Sequence, residues 1–168
     1  MTISMYAASV PVFKQMLSSL AANLDKAEIH IADKKIDPNA LLQARLFPDM
    51  FPLIRQVLIA ADFAKGACAR LANVEVPKYE DTEQTFADLK ARLAKTLAFI
   101  DTLSPAQIDG SETREITTSA GPNSKTFNGQ TYLLHYALPQ FFFHATTAYA
   151  LLRHNGIEVG KRDFMGKS

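Results

Sequence analysis

Much of what would announce a function is missing from this chain of 168 residues. Cys68 is its only cysteine, so no internal disulfide can form, in keeping with a cytoplasmic setting. No basic run or acidic tail stands out, and 18 basic side chains against 17 acidic ones leave a net charge of +1. That balance gives no footprint for nucleic acid or for an anionic membrane surface. No apolar run approaches the roughly 20 residues that a membrane span requires. The opening "MTISMYAASVPVF" has neither a basic stretch nor a long apolar one, so no signal peptide is expected. Repeats and low-complexity segments are absent. No glycine-rich phosphate loop, Ser-His-Asp spacing or carboxylate pair can be read, and "KGACAR" is not a phosphate loop.

What is there is helical periodicity over four long segments. Phe13, Leu17, Leu20 and Leu24 share one face of a first helix over about 4–34, with Pro11 predicting a late start or a bend. Asp37 before Pro38 predicts a short extra helix over about 39–45. A second long helix, capped by Asp49 with Pro52 in its first turn, should run to about Ala72 and stop at Asn73. Its stripe of Met50, Leu53, Val57, Ala60, Ala64, Ala67 and Leu71 turns small in the second half, which would let a neighbour come close. Asp81 with Gln84 resembles a capping box. Phe86, Leu89, Leu93, Leu97, Ile100 and Leu103 then mark a third helix, which "SP" at Ser104 and Pro105 should end. A small β-hairpin joining Glu115–Thr118 to Lys125–Phe127 around "AGPNS" precedes the last helix, over about 128–155 with Gly156 as terminator. The reading is all-α: a four-helix bundle with a short extra helix and a small hairpin, as one domain over 1–168.

Three of the four histidines lie in "LLHYALPQFFFHATTAYALLRHNG". At roughly 100° per residue, His135 and His144 fall on opposite faces, and His144 and His154 lie almost three turns apart. No two of them can share a metal from this helix. Gln140, four residues before His144, is the nearest polar partner. His144 reads as a core histidine bonded to a neighbour, His154 as a helix-end residue favoured by the dipole, and His30 as a surface or rim residue. Pro139 cannot donate to the carbonyl of His135, so a bend is expected there. Tyr132, Tyr136, Tyr149 and "QFFFH", which includes Phe143, are core or pocket lining. Cys68 reads as a buried structural thiol. Phe164 and Met165 in the tail "GKRDFMG" are suited to docking on the bundle or on a second subunit, with Arg162 and Asp163 fixing the position.

The segments "YAASVPVFKQML", "LLQARLFPDMFPLIRQVLIAADFAKGACARLA" and "YLLHYALPQFFFHATTAYALLRHNGIEVGKRDFMG" together resemble a bacterial family of unknown function placed in the DinB/YfiT-like superfamily of metalloenzyme-related bundles. The resemblance covers nearly the whole chain. It implies a four-helix bundle, often dimeric. It also implies a divalent metal held by three histidines in many members, some of which activate a thiol such as bacillithiol or mycothiol. Carried over by position, the last histidine of that triad falls on His144 and the one before it on Gln140. The position on the second long helix falls on Gln56, with Asp62 as another register. The chain thus keeps one of three imidazoles, and glutamine carbonyls suit hard cations better than zinc or nickel. The resulting expectation is a non-catalytic homodimer that binds a small ligand or acts as a scaffold. Its candidate site comprises Gln56, Gln140, His144, Phe143 and Tyr132, with any divalent metal on His144, Gln140 and Gln56. The alternatives are a metal-dependent thiol transferase or hydrolase, and a protein–protein interaction module.

Overall fold

A computed structural model describes residues 3–118 and 124–166. The chain order is α1 (Val10–Lys34), α2 (Pro38–Leu42), α3 (Leu53–Leu71), α4 (Phe86–Asp101), α5 (Pro105–Ile108), β1 (Glu115–Thr118), β2 (Lys125–Asn128) and α6 (Gly129–Thr131). A π-helical turn over Tyr132–Ala137, α7 (Leu138–His154) and α8 (Lys161–Met165) complete it. The architecture is the all-α bundle with an antiparallel hairpin that the periodicity predicts. No helix among the described residues is long and apolar enough to cross a membrane.

Helix starts and stops follow local chemistry. Pro11 sits in the first turn of α1, where its missing N–H costs nothing, so the helix begins late, at Val10. Asp37 caps α2 through the amide of Asn39, 2.9 Å away. Asp49 does not cap α3, contrary to expectation: Pro52 occupies the cap position, and no side chain caps that end. The capping box of α4 is not Asp81 with Gln84 either. Thr85 and Asp88 form it reciprocally, at 3.1 and 2.9 Å. Asp81 is instead held by Arg55 and Arg92. Ser104 and Pro105 open α5 rather than merely closing α4, which ends at Asp101. Asn73, with φ 55°, and Gly156, with φ 85°, adopt the left-handed conformation that closes α3 and α7. In each case the following amide reaches back to the helix, Val74 to the Ala69 carbonyl and Ile157 to that of Leu152.

Helix α3 is the centre of the bundle. Its densest packing is against α7, with α4 on another side, while α1 packs on α4, α7 and α8. Ala60, Ala64 and Ala67 are fully buried, so the small-residue face is used inside the chain and lets helices approach closely. Phe13 and Phe141 meet edge to face, 4.9 Å apart, joining α1 to α7 in the core. Ile116 pairs with Phe127 across the hairpin, and Ile116 is buried. Arg114 donates to the Leu71 carbonyl, which ties the hairpin to the end of α3. Of the "AGPNS" turn only Ser124 lies within the described residues.

The tail docks on the bundle. Ser19 donates to the carbonyls of Asp163 and Phe164, the latter at 2.7 Å, and Gln15 to that of Met165 at 2.8 Å. Asp163 pairs with Lys26, and Phe164 packs edge-on to Tyr149 at 5.4 Å. Met165 stays exposed, and Arg162 lines a groove rather than fixing the dock.

Candidate functional site

Pro139 alters the last helix in a way that matters for the histidines. The amide of Leu138 reaches the carbonyl of Leu133, five residues back, so the turn before Pro139 carries an extra residue. Proline then stands at the start of the α-helical register, where a missing donor is tolerated. A uniform angular count from His135 to His144 therefore does not apply. His135 is exposed, and His144 is 92% shielded, with 8% of its surface left. His154 is exposed at the end of α7, and His30 is half-buried on α1.

Two of the candidate residues meet. Helix α3 projects Gln56, 1% exposed, toward α7, and its Oε1 lies 2.7 Å from His144 Nδ1. Gln56 Nε2 donates to the Phe51 carbonyl at 3.0 Å, just before α3 begins. Buried amides and imidazoles require such partners. Gln140 lies one turn before His144 and is half-buried. Among the described residues it makes no hydrogen bond to either of the other two.

Aromatic rings frame the histidine. Phe63 lies nearly parallel to the imidazole, 6.0 Å away and 14° off, while Phe143 meets it edge-on at 5.2 Å. Phe143 is 56% exposed, so it forms a rim and not core. From Phe63 the rings continue to Tyr136 at 6.0 Å and on to Tyr132 at 5.9 Å. Tyr132 itself is buried away from His144, with its hydroxyl accepting from Arg70 at 3.2 Å. Burial raises the Tyr132 pKa against the pull of Arg70. Burial lowers the His144 pKa, because the cation would lose its hydration, and so favours the neutral ring. Cys68 is buried, and desolvation pushes its thiol up to about 12, which removes it as a nucleophile.

With the pair and its surround in view, comparisons place the chain. A family model described as "Domain of unknown function (DUF1993)" matches residues 5–165. The chain belongs to this family. It is also similar to a solved DinB family member from Shewanella denitrificans, with 41% identity and a TM-score of 0.91 over 97% of this chain and 92% of that one. No curated protein matches. In this DUF1993 chain α7 carries His144 with Gln140 one turn before it, and α3 carries Gln56. Among the described residues no group of three or more His, Cys, Asp or Glu is placed to hold a metal ion.

One polar cluster escaped the sequence reading. The Arg92 side chain, 1% exposed, sits on the inner face of α4 and binds Glu83 at 2.7 Å, Asp81 at 2.7 Å and the Glu80 carbonyl at 3.0 Å. Lys65 and Lys95 each place an ammonium 4.1 Å from the centre of the Tyr79 ring, and Arg92 lies 5.0 Å from it. This cluster straps the α3–α4 connector onto the bundle. Its signal was present: Arg92 and Thr96 share the face that carries Leu89 and Leu93.

Proposed function

We propose that this protein binds a small ligand, without catalysis, at the His144–Gln56 pair beneath the Phe143 rim. The observation that carries the reading is the buried imidazole–amide bond at 2.7 Å with an exposed aromatic ring against it. A polar pair kept inside an apolar bundle costs desolvation, and directional recognition is a use that offsets this cost. A groove of about 880 Å³ lies elsewhere, between α1 and α8, and a ligand at His144 would rest against the exposed Phe143 rim.

The chemistry of the donor set supports this reading over a metal- and thiol-dependent transferase or hydrolase. His144 spends Nδ1 on Gln56, and Gln56 spends both its amide atoms on His144 and Phe51. One remaining imidazole nitrogen and a neutral amide at Gln140 do not make a zinc or nickel site. No step through a metal is derived.

A screen of small neutral aromatics by thermal shift and protein-observed NMR tests the proposal. Hits should perturb His144, Phe143 and Phe63, and His144→Ala should abolish them. Hits that map only to the α1–α8 groove, or that survive His144→Ala, would sink it.

A second reading, homodimerisation, draws on another observation. Leu46, Phe47 and Phe51 are exposed in the segment between α2 and α3, and Phe51 is joined through Gln56 to His144. Apolar side chains left together on a surface favour an interface. Light scattering behind size exclusion should give twice the 18.5 kDa chain mass. A Phe47→Ser/Phe51→Ser variant should give the monomer, and a monomeric wild type at high concentration would end this reading.

A further inference from the structure

The bond between Gln56 and His144 has a direction, and that direction determines what the site offers to a ligand. The starting point is the Phe51 carbonyl, which can only accept a hydrogen bond. Gln56 Nε2 lies 3.0 Å from it. Turning the amide over would set oxygen against oxygen, so the orientation follows from the backbone and not from a choice between similar atoms. Gln56 Oε1 then faces His144 Nδ1 at 2.7 Å, and it too can only accept. Nδ1 must carry the hydrogen. A neutral imidazole has a single N–H, so Nε2 carries none. Among the described residues Nε2 has no hydrogen-bond partner, and it is not one of the fully buried polar atoms left unpaired.

We infer that Gln56 is a positioning residue: it fixes His144 as the Nδ1–H tautomer, so that the site presents a bare nitrogen lone pair at Nε2 and takes neutral ligands that donate an O–H, S–H or N–H. The ligand half of this inference rests on the proposed binding function, and the tautomer half does not. An acceptor-only ligand, such as a carboxylate, meets a lone pair with its own lone pairs and is refused. Phe63, nearly parallel to the ring, and Phe143, edge-on to it, favour a donor carried on a flat apolar body.

Long-range proton–nitrogen NMR on the intact chain at pH 8 reads the tautomer directly, with His144 assigned by its loss in His144→Gln. The expected spectrum has a protonated, pyrrole-type Nδ1 and a bare, pyridine-type Nε2. Gln56→Leu removes the acceptor and should shift the ring toward the Nε2–H form. Gln56→Glu keeps an acceptor oxygen and should restore Nδ1–H, a pattern that a merely space-filling role would not give. An Nε2–H ring in the wild type, or an unchanged ring in a folded Gln56→Leu variant, overturns the assignment. The wild-type spectrum decides even where a variant fails to fold. Phenol, which donates, should then move the Nε2 resonance, and anisole, in which the donor is blocked, should not. Equal shifts with both would overturn the donor requirement. No shift with either, on a ring shown to be Nδ1–H, would remove the ligand reading and leave the role of Gln56 standing.

Discussion

Arg92→Met is the substitution whose cost can be worked most fully from the structure. Methionine keeps most of the alkyl bulk beside Tyr79 and removes the guanidinium. Each lost bond to a charged group is worth about 1.5–3 kcal/mol where its partner stays dry. Glu83 fits that condition, since its side chain is 12% exposed. Asp81 does not: it is 39% exposed and keeps Arg55, so its share falls below about 1 kcal/mol. Glu80 is an exposed residue, and its part-buried carbonyl can regain water. In the other direction, Arg92 Nη1 is buried with no hydrogen-bond partner among the described residues and only a 3.9 Å ion-pair contact with Asp62, and deleting it returns about 1 kcal/mol. The balance is a loss of about 2 kcal/mol, or about 4–8 °C in Tm for a chain of this size. Urea denaturation followed by far-UV circular dichroism would measure it. Adding Glu83→Gln should recover about 1 kcal/mol, because the stranded charge is what costs most. A loss under about 0.5 kcal/mol would refute the reasoning, as would a double variant whose losses simply add.

Two further outcomes follow from single positions. The His144 pKa lies below its ordinary 6.5 because of burial, so the folded state resists the proton that the unfolded chain accepts. This contribution to stability is intact above about pH 6.5 and is lost as pH falls through the lower folded value; thermal midpoints should fall more steeply in wild type than in His144→Gln between about pH 7.5 and about pH 5, and parallel slopes would contradict this. Gly129 is packed so closely that a Cβ would stand 1.9 Å from the Ser111 carbonyl oxygen. Gly129→Ala must move backbone, so a loss of about 1–3 kcal/mol is expected in the same urea assay, and a neutral effect would show that the hairpin yields freely.

The bundle was legible because its signals are local and repeated. Leu89, Leu93 and Ile100 return at helical spacing and are all buried, and Asn73 and Gly156 stop helices by a conformation that few other residues adopt as readily. Caps were less legible. Thr85 with Asp88 and Asp81 with Gln84 carry similar patterns, and the choice between them fell to the distant guanidinium of Arg92, which claims Asp81. The π-helical turn before Pro139 was visible as a disturbance, though not as an added residue, because a missing donor can be met by a bend or by a change of register. The small-residue stripe of α3 was legible as a face for close approach, and the structure buries it within the chain. At the site, the family pattern brought forward Gln56 and His144, which bond across 88 positions. It could not say that Gln140 would stand apart, nor that Tyr132 would face Arg70. Those depend on side-chain directions that spacing alone does not carry.

Under the proposed function His144 belongs to a hydrogen-bonded pair with Gln56 and not to a metal centre. Elemental analysis of native protein, purified without chelators or a histidine tag from cells supplied with metals, tests it most directly when run beside His144→Ala. Only trace metal is expected in both samples. Near-stoichiometric metal in the wild type that disappears in the variant would contradict it, and thiol-transfer assays would then be the next step.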